Sequence, residues 1–133
     1  MAFKLHSTLD GAQPPFEYYL MTDSEAVTLG EALVQTSGRL TLCGVTTTPQ
    51  FIAQKTQAAE TTAITPIPVI RVTEQQEWEN TSNATTAVTL VGNKVTIHSD
   101  GLVVTATTSS GVFELTYTDA VTDGGVVRGL FTK

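Results

Sequence analysis

Few side chains in this 133-residue sequence could do chemistry, and they are scattered. His6 and His98 are the two histidines. His98 precedes Asp100 by two residues, close enough for an imidazole and a carboxylate to exchange a proton. Asp100-Gly101 also reads as a hairpin turn, which would commit the aspartate to its own backbone, so His98 is expected to be a solvated strand residue. Cys43 is the single cysteine, so no intrachain disulfide can form. Within Leu42-Cys43-Gly44 it reads as a small buried hydrophobe. Glu74, Glu77 and Glu79 surround Trp78. Paired carboxylates can serve glycoside hydrolysis, but a solvated polar segment anchored by Trp78 accounts for them more simply. Residues 119–125 (D-A-V-T-D-G-G) have a superficial likeness to a calcium loop but lack its alternating ligands and terminal glutamate. Zinc-ligand spacings, a glycine-rich phosphate loop and a G-x-S-x-G elbow are all missing. The expectation is a binding or structural protein with no catalytic residue, no metal and no cofactor.

Composition limits the partners. Hydrophobic residues make up 41% of the chain, enough for one real core, and charged residues only 15%, well below the roughly 25% of an average soluble domain. Threonine fills much of that gap and valine is also frequent. Both are β-branched and suit a pleated surface better than a helix. The net charge is −6 and no Lys/Arg cluster occurs. Nucleic-acid binding needs several cations on one face, so no nucleic-acid partner is expected. An anionic membrane is disfavoured for the same reason, and no apolar run approaches a spanning length. Residues 1–6 contain no apolar signal-peptide core. The expectation is synthesis in a cytoplasm without a signal peptide, which leaves the sequons Asn80-Thr81-Ser82 and Asn83-Ala84-Thr85 without meaning.

The elements that must position these residues are strands. The fold class expected is all-β, an antiparallel sandwich or partly open barrel with few or no helices. Gly92-Asn93, Asp100-Gly101 and Ser110-Gly111 punctuate the C-terminal half as two-residue hairpin loops. Taken together they face Leu90 with Val95 and Val88 with Ile97, then Ile97 with Val104 and Val95 with Ala106, then Ala106 with Leu115 and Val104 with Tyr117. One face is apolar throughout, and the other carries Thr89, Thr96, His98, Thr105, Thr107, Glu114 and Thr116. A one-residue slip would mix the faces. The pattern predicts a four-stranded meander over residues 87–118, followed by a strand over 126–131. In the N-terminal half, residues 32–35 and 39–42 flank Ser37-Gly38, with Leu33 facing Leu42. Residues 49–53 read as a strand and 54–62 as a loop. Residues 66–72 read as a strand whose two prolines suggest an edge or an entry from a loop. The polar stretch 80–86 would separate two lobes, 23–80 and 84–133, if the β domain 23–133 is divided at all. Residues 1–22 read as an N-terminal arm, broken at Gly11 and stiffened by Pro14-Pro15, that is either a frayed terminus or a segment that orders on a partner.

Four runs carry a resemblance: Gly30-Glu31-Ala32-Leu33, Gly38-Arg39-Leu40-Thr41, Pro49-Gln50-Phe51-Ile52-Ala53 and Pro68-Val69-Ile70-Arg71-Val72. Over residues 24–80 this pattern of turns and strands resembles the β-rich decoration (cement) proteins of tailed-phage heads. The meander after residue 87 departs from the smallest members. The resemblance implies a homotrimer bound to the major capsid protein on the exterior of an expanded virion, stabilising it by bridging capsomers with its N-terminal arm. Phe3, Leu5, Leu9, Phe16 and Trp78 are then the expected partner-binding residues. The competing expectation is a carbohydrate- or receptor-binding module of a virion or tail, with Trp78, Tyr18, Tyr19 and Tyr117 as stacking surfaces.

Overall fold

A computed structural model describes residues 2–119, 122 and 124–132. The strands are β1 (Lys4–Thr8), β2 (Phe16–Tyr19), β3 (Ala32–Thr36), β4 (Arg39–Leu42), β5 (Phe51–Ala53), β6 (Ile67–Arg71), β7 (Gln76–Thr81), β8 (Lys94–Val95), β9 (Phe113–Thr118) and β10 (Val126–Phe131). One 3-10 turn, Val88–Leu90, is the helical element among the described residues. The strands form two five-stranded antiparallel sheets, ordered β1-β7-β10-β9-β8 and β2-β6-β5-β3-β4. Neither closes on itself, so the architecture is a sandwich, not a barrel.

The main core lies between the sheets. Ala32, Ile52 and Ile70 from the second sheet meet Trp78, Val95, Phe113, Leu115, Val127 and Phe131 from the first. The rings of Phe3, Phe113 and Phe131 pack mutually, with centroids 5.0–5.6 Å apart. The second sheet is apolar on its other face too, where Leu33, Leu40, Phe51, Ala53, Ile67 and Val69 are buried. The loops 20–31 and 54–66 cover that face with Met21, Val27 and Ala63. These loops are held together by hydrogen bonds from the Val27 and Ser24 amides to the Gln57 and Glu60 carbonyls, at 3.0 and 2.6 Å.

The hairpin β3–β4 forms as the sequence predicts, with Leu33 opposite Leu42. Its turn needs positive φ at both central residues, which Ser37 (51°) and Gly38 (79°) supply. The strand at residues 126–131 also forms as expected, and 54–62 is a loop.

Three expectations need correction. The segment read as an arm is part of both sheets: β1 pairs with β7 and β2 with β6. Phe3 is what ties it down, 4% exposed in the main core, with its amide bonded to the Gly30 carbonyl at 3.1 Å. Of the two alternatives for residues 66–72, the entry from a loop holds: β6 follows the loop 54–66 and lies inside its sheet, between β2 and β5. The missing Pro68 N–H falls opposite Gln54, just past the end of β5, where Gln54 still donates to the Pro68 carbonyl at 2.9 Å. The stretch 80–86 is no separator, because Asn80 and Thr81 belong to β7, and Ser82 and Thr86 are buried and bonded to each other at 2.9 Å.

The meander forms only at its middle turn. Ile97 does face Val104 across Asp100-Gly101. Residues 88–90 turn instead of extending, leaving Val88 70% exposed. The strand β9 skips the preceding segment and pairs with β8, Val95 opposite Phe113. Residues 96–107 therefore leave the sheet as an irregular hairpin, whose Val104 amide bonds to the Thr81 carbonyl at the end of β7. Alternation specifies which face a residue takes but not which strand lies beside it, so a neighbour of equal parity satisfies the same pattern.

Candidate binding surface

Residues 2–19 build one lateral side of the sandwich. The strand β1 ends its sheet and β2 ends the other, so the chain crosses between sheets at their shared margin. The crossing, residues 9–15, begins with a hydrogen bond from the Leu9 amide to the Gln75 carbonyl at 2.6 Å. It turns at Asp10, whose Oδ1 accepts from the Ala12 amide at 3.0 Å, and at Gly11, whose φ is 72°. Pro14-Pro15 then delivers the chain into β2. An open groove of about 330 Å³ lies under the crossing, lined by Asp10, Gln13, Pro14, Glu17, Arg71 and Gln75 among others. Large apolar side chains stand exposed along this side: Leu9 (62%), Phe16 (52%) and Tyr18 (62%).

Backbone register decides what β2 presents. Glu17 lies opposite Val69 and Tyr19 opposite Ile67. On its other side β6 turns residues 68 and 72 toward β5, since the Pro68 carbonyl accepts from Gln54 and the Val72 amide donates to Gln50. Antiparallel residues alternate in direction. Glu17 and Tyr19 therefore direct their amides and carbonyls to β6, and Phe16 and Tyr18 direct theirs outward.

One ion pair, Glu17 with Arg71, is built into this side. Glu17 accepts two hydrogen bonds from Arg71, from Nε and Nη2 at 2.9 Å each, and one from the Tyr19 hydroxyl at 2.6 Å. The Arg71 and Tyr19 donors hold the Glu17 carboxyl below its ordinary range, and the carboxylate in turn raises both Tyr19 and Arg71. The Arg71 guanidinium lies 4.9 Å from the centre of the Phe51 ring. Past Arg71 the margin opens into a second groove of about 540 Å³, lined by Thr48, Gln50, Thr73, Glu74 and Phe131.

The other chemical candidates are dispersed. Glu77 and Glu79 stand on the outward face of β7 with Trp78 turned inward between them. His6 lies between the two carboxylates, 3.8 Å from each, and Arg128 donates to Glu79 at 2.8 Å. His98 sits 3.2 Å from Asp100, whose Oδ1 accepts the Leu102 amide in the turn. The Cys43 thiol is buried, donates to the Thr47 carbonyl at 2.9 Å, and is pushed up to about 12 by desolvation. Of the calcium-like loop, Ala120, Val121 and Asp123 lie outside the described residues. Among the described residues no three His, Cys, Asp or Glu side chains converge as metal ligands, and no helix is long and apolar enough to cross a membrane.

The five expected contact residues divide. Leu9 and Phe16 are exposed on the lateral side, and Leu5 is half-buried against the core. Phe3 and Trp78 are core residues, Trp78 fully buried, and neither can reach a partner in the folded chain. Of the proposed stacking rings, Tyr19 packs on Phe51 at 5.1 Å and Tyr117 lies under Arg128 at 4.7 Å, leaving Tyr18 open. Sequence reasoning missed the Glu17–Arg71 pair, whose partners are 54 residues apart. It also missed Glu31, a carboxyl only 8% exposed. Glu31 accepts from the Thr28 amide at 3.3 Å, and its pKa is raised to about 7 by burial, with Glu25 and Asp100 adding to the shift. A glutamate one residue ahead of the apolar run 32–34 was the available signal for it.

Comparison of the chain with protein-family models, with curated proteins and with solved structures found no match.

Proposed function

We propose that this protein is a structural component of a phage virion that binds the outer surface of an expanded capsid and bridges neighbouring capsomers. The observation that carries the reading is the lateral side built by residues 2–19. It sets exposed Leu9, Phe16 and Tyr18 along the crossing between the sheets. Exposed apolar side chains grouped in this way mark surfaces that bind other chains. Binding only to the expanded lattice would stabilise that form by mass action. Attachment runs through the exposed Leu9 and the crossing 9–15 as a pre-formed surface, not through a free arm.

Co-sedimentation with expanded and unexpanded phage heads tests this. The protein should saturate expanded heads, and Leu9→Asp should weaken that binding by roughly tenfold or more, a change of about 1.4 kcal/mol. Equal binding to both head forms, or none to either, overturns the reading. Removing residues 1–15 is a poor test, because it takes Phe3 out of the core and β1 out of its sheet.

A second reading, a carbohydrate-binding module, draws on one observation: the exposed Tyr18 ring on the margin that also carries the groove edged by Asp10, Gln13 and Gln75. Glycan-array binding that Tyr18→Ala abolishes would favour it over capsid attachment.

A further inference from the structure

Four strands end the two sheets, and three of them carry devices that block pairing with another chain. The strand β1 has a bulge between Leu5 and Ser7, at His6, and the exposed Lys4. The outer edge of β4 is occupied by residues 20–25: Leu40 exchanges backbone hydrogen bonds with Leu20 and Thr22 at 2.9 Å each, and the Leu42 amide donates to Glu25 at 2.9 Å. The strand β8 is two residues long and runs into the 96–107 hairpin. Among the described residues, only β2 has regular register, outward amides and carbonyls, and exposed aromatic side chains on either side of a neutralised charge.

We propose that β2 pairs with β2 of a second copy of this chain, in antiparallel register about a two-fold axis at Glu17. Register selects this pairing. Only Phe16 and Tyr18 offer outward backbone groups. Centring the axis on Phe16 would set Tyr18 against Pro14, which has no N–H. Centring it on Tyr18 would set Phe16 against Leu20, whose carbonyl already accepts from Leu40. With the axis at Glu17, Phe16 of each copy meets Tyr18 of the other, giving roughly four backbone hydrogen bonds. The same pairing forms two cross-strand aromatic contacts. The opposed Glu17 carboxylates are each already held by Arg71 and Tyr19, so the like charges meet as neutral pairs. A strand that must bring alternate outward groups, an aromatic opposite each aromatic, and a compensated charge between them is β2 itself. The dimer joins two five-stranded sheets across an isologous interface and leaves β1 and Leu9 free. This inference stands apart from the capsid reading, and it differs from the three-fold assembly that the resemblance implies.

Sedimentation equilibrium of the full chain over a concentration series reaching about 1 mM tests it. A mass approaching twice 14.1 kDa is expected, and Tyr18→Lys should weaken the association by roughly tenfold or more with an unchanged thermal midpoint at dilutions where both proteins are monomers. A second variant fixes the register. Glu17→Cys should form a disulfide-linked dimer on mild oxidation, because opposed residues in the non-hydrogen-bonded position bring their Cα atoms to about 4.5 Å. Ser109→Cys, on a distant exposed turn, should not. A monomer throughout the series, a trimer, or a dimer that Tyr18→Lys leaves intact and Glu17→Cys does not cross-link overturns the proposal. So does association only with a foreign strand.

Discussion

At the scale of single residues, burial determines behaviour that residue type alone does not. Glu31 is acidic in composition, yet its site favours the protonated form, because desolvation and the nearby Glu25 and Asp100 oppose ionisation. The folded chain therefore binds a proton more tightly than the unfolded chain, whose glutamate titrates near 4.5. The stabilisation from this group is complete below about pH 4.5 and is lost as pH rises to about 7. A shift of this size corresponds to about 3 kcal/mol. Denaturant titrations from pH 4 to 8 should show stability falling across that window, and Glu31→Gln should remove the dependence on this group and be more stable than wild type at pH 8. Phe3 makes the same point from the apolar side. Its sequence position suggests a fraying terminus, but three aromatic rings meet there. Phe3→Ala should cost about 3–5 kcal/mol in urea unfolding.

At the scale of elements, two glycines separate conformational strain from steric exclusion. Gly38 closes the β3–β4 turn at φ 79° with open space where a Cβ would stand. Gly38→Ala should therefore cost only the left-handed backbone penalty, about 1–2 kcal/mol. Gly30 has a similar φ of 84°, but a Cβ there would lie 2.4 Å from the Ala2 Cβ and 2.8 Å from the Phe3 carbonyl oxygen. Gly30→Ala should cost clearly more and also loosen β1, seen as faster amide exchange along Lys4–Thr8. The β3–β4 hairpin was legible because its register is local and set by its own turn. The pairing of β9 with β8 was not, because the intervening 96–107 excursion has the same apolar parity as a sheet strand.

At the scale of the molecule, the two halves share one interior. Phe3, Ala32, Cys43, Ile52 and Ile70 pack in the same cluster as Val95, Val104, Phe113 and Phe131. The strand β7 is flanked by β1 and β10, drawn from the two ends of the chain. Calorimetry should give a single transition with equal calorimetric and van't Hoff enthalpies, and neither 23–80 nor 84–133 should fold alone. Two separable transitions would contradict a common core. Trp78, the single tryptophan, is fully buried, so its emission should be shielded from iodide until that transition.

β-branched composition, period-two alternation and local turns were enough for the all-β class, the β3–β4 hairpin, the Asp100-Gly101 turn and the final strand. The rest waited on tertiary packing. It made the supposed arm into the margins of two sheets, because Phe3 gains more from an aromatic core than from solvent. It turned Trp78 inward and Tyr18 outward, since parity fixes a side only after the sheet has a partner. It brought Glu17 to Arg71 across most of the N-terminal half, and left β2 as the unguarded edge among the described residues. The histidines, the cysteine and the β7 carboxylates stay scattered in the fold, and the surface proposed for binding is assembled from residues that carry no motif.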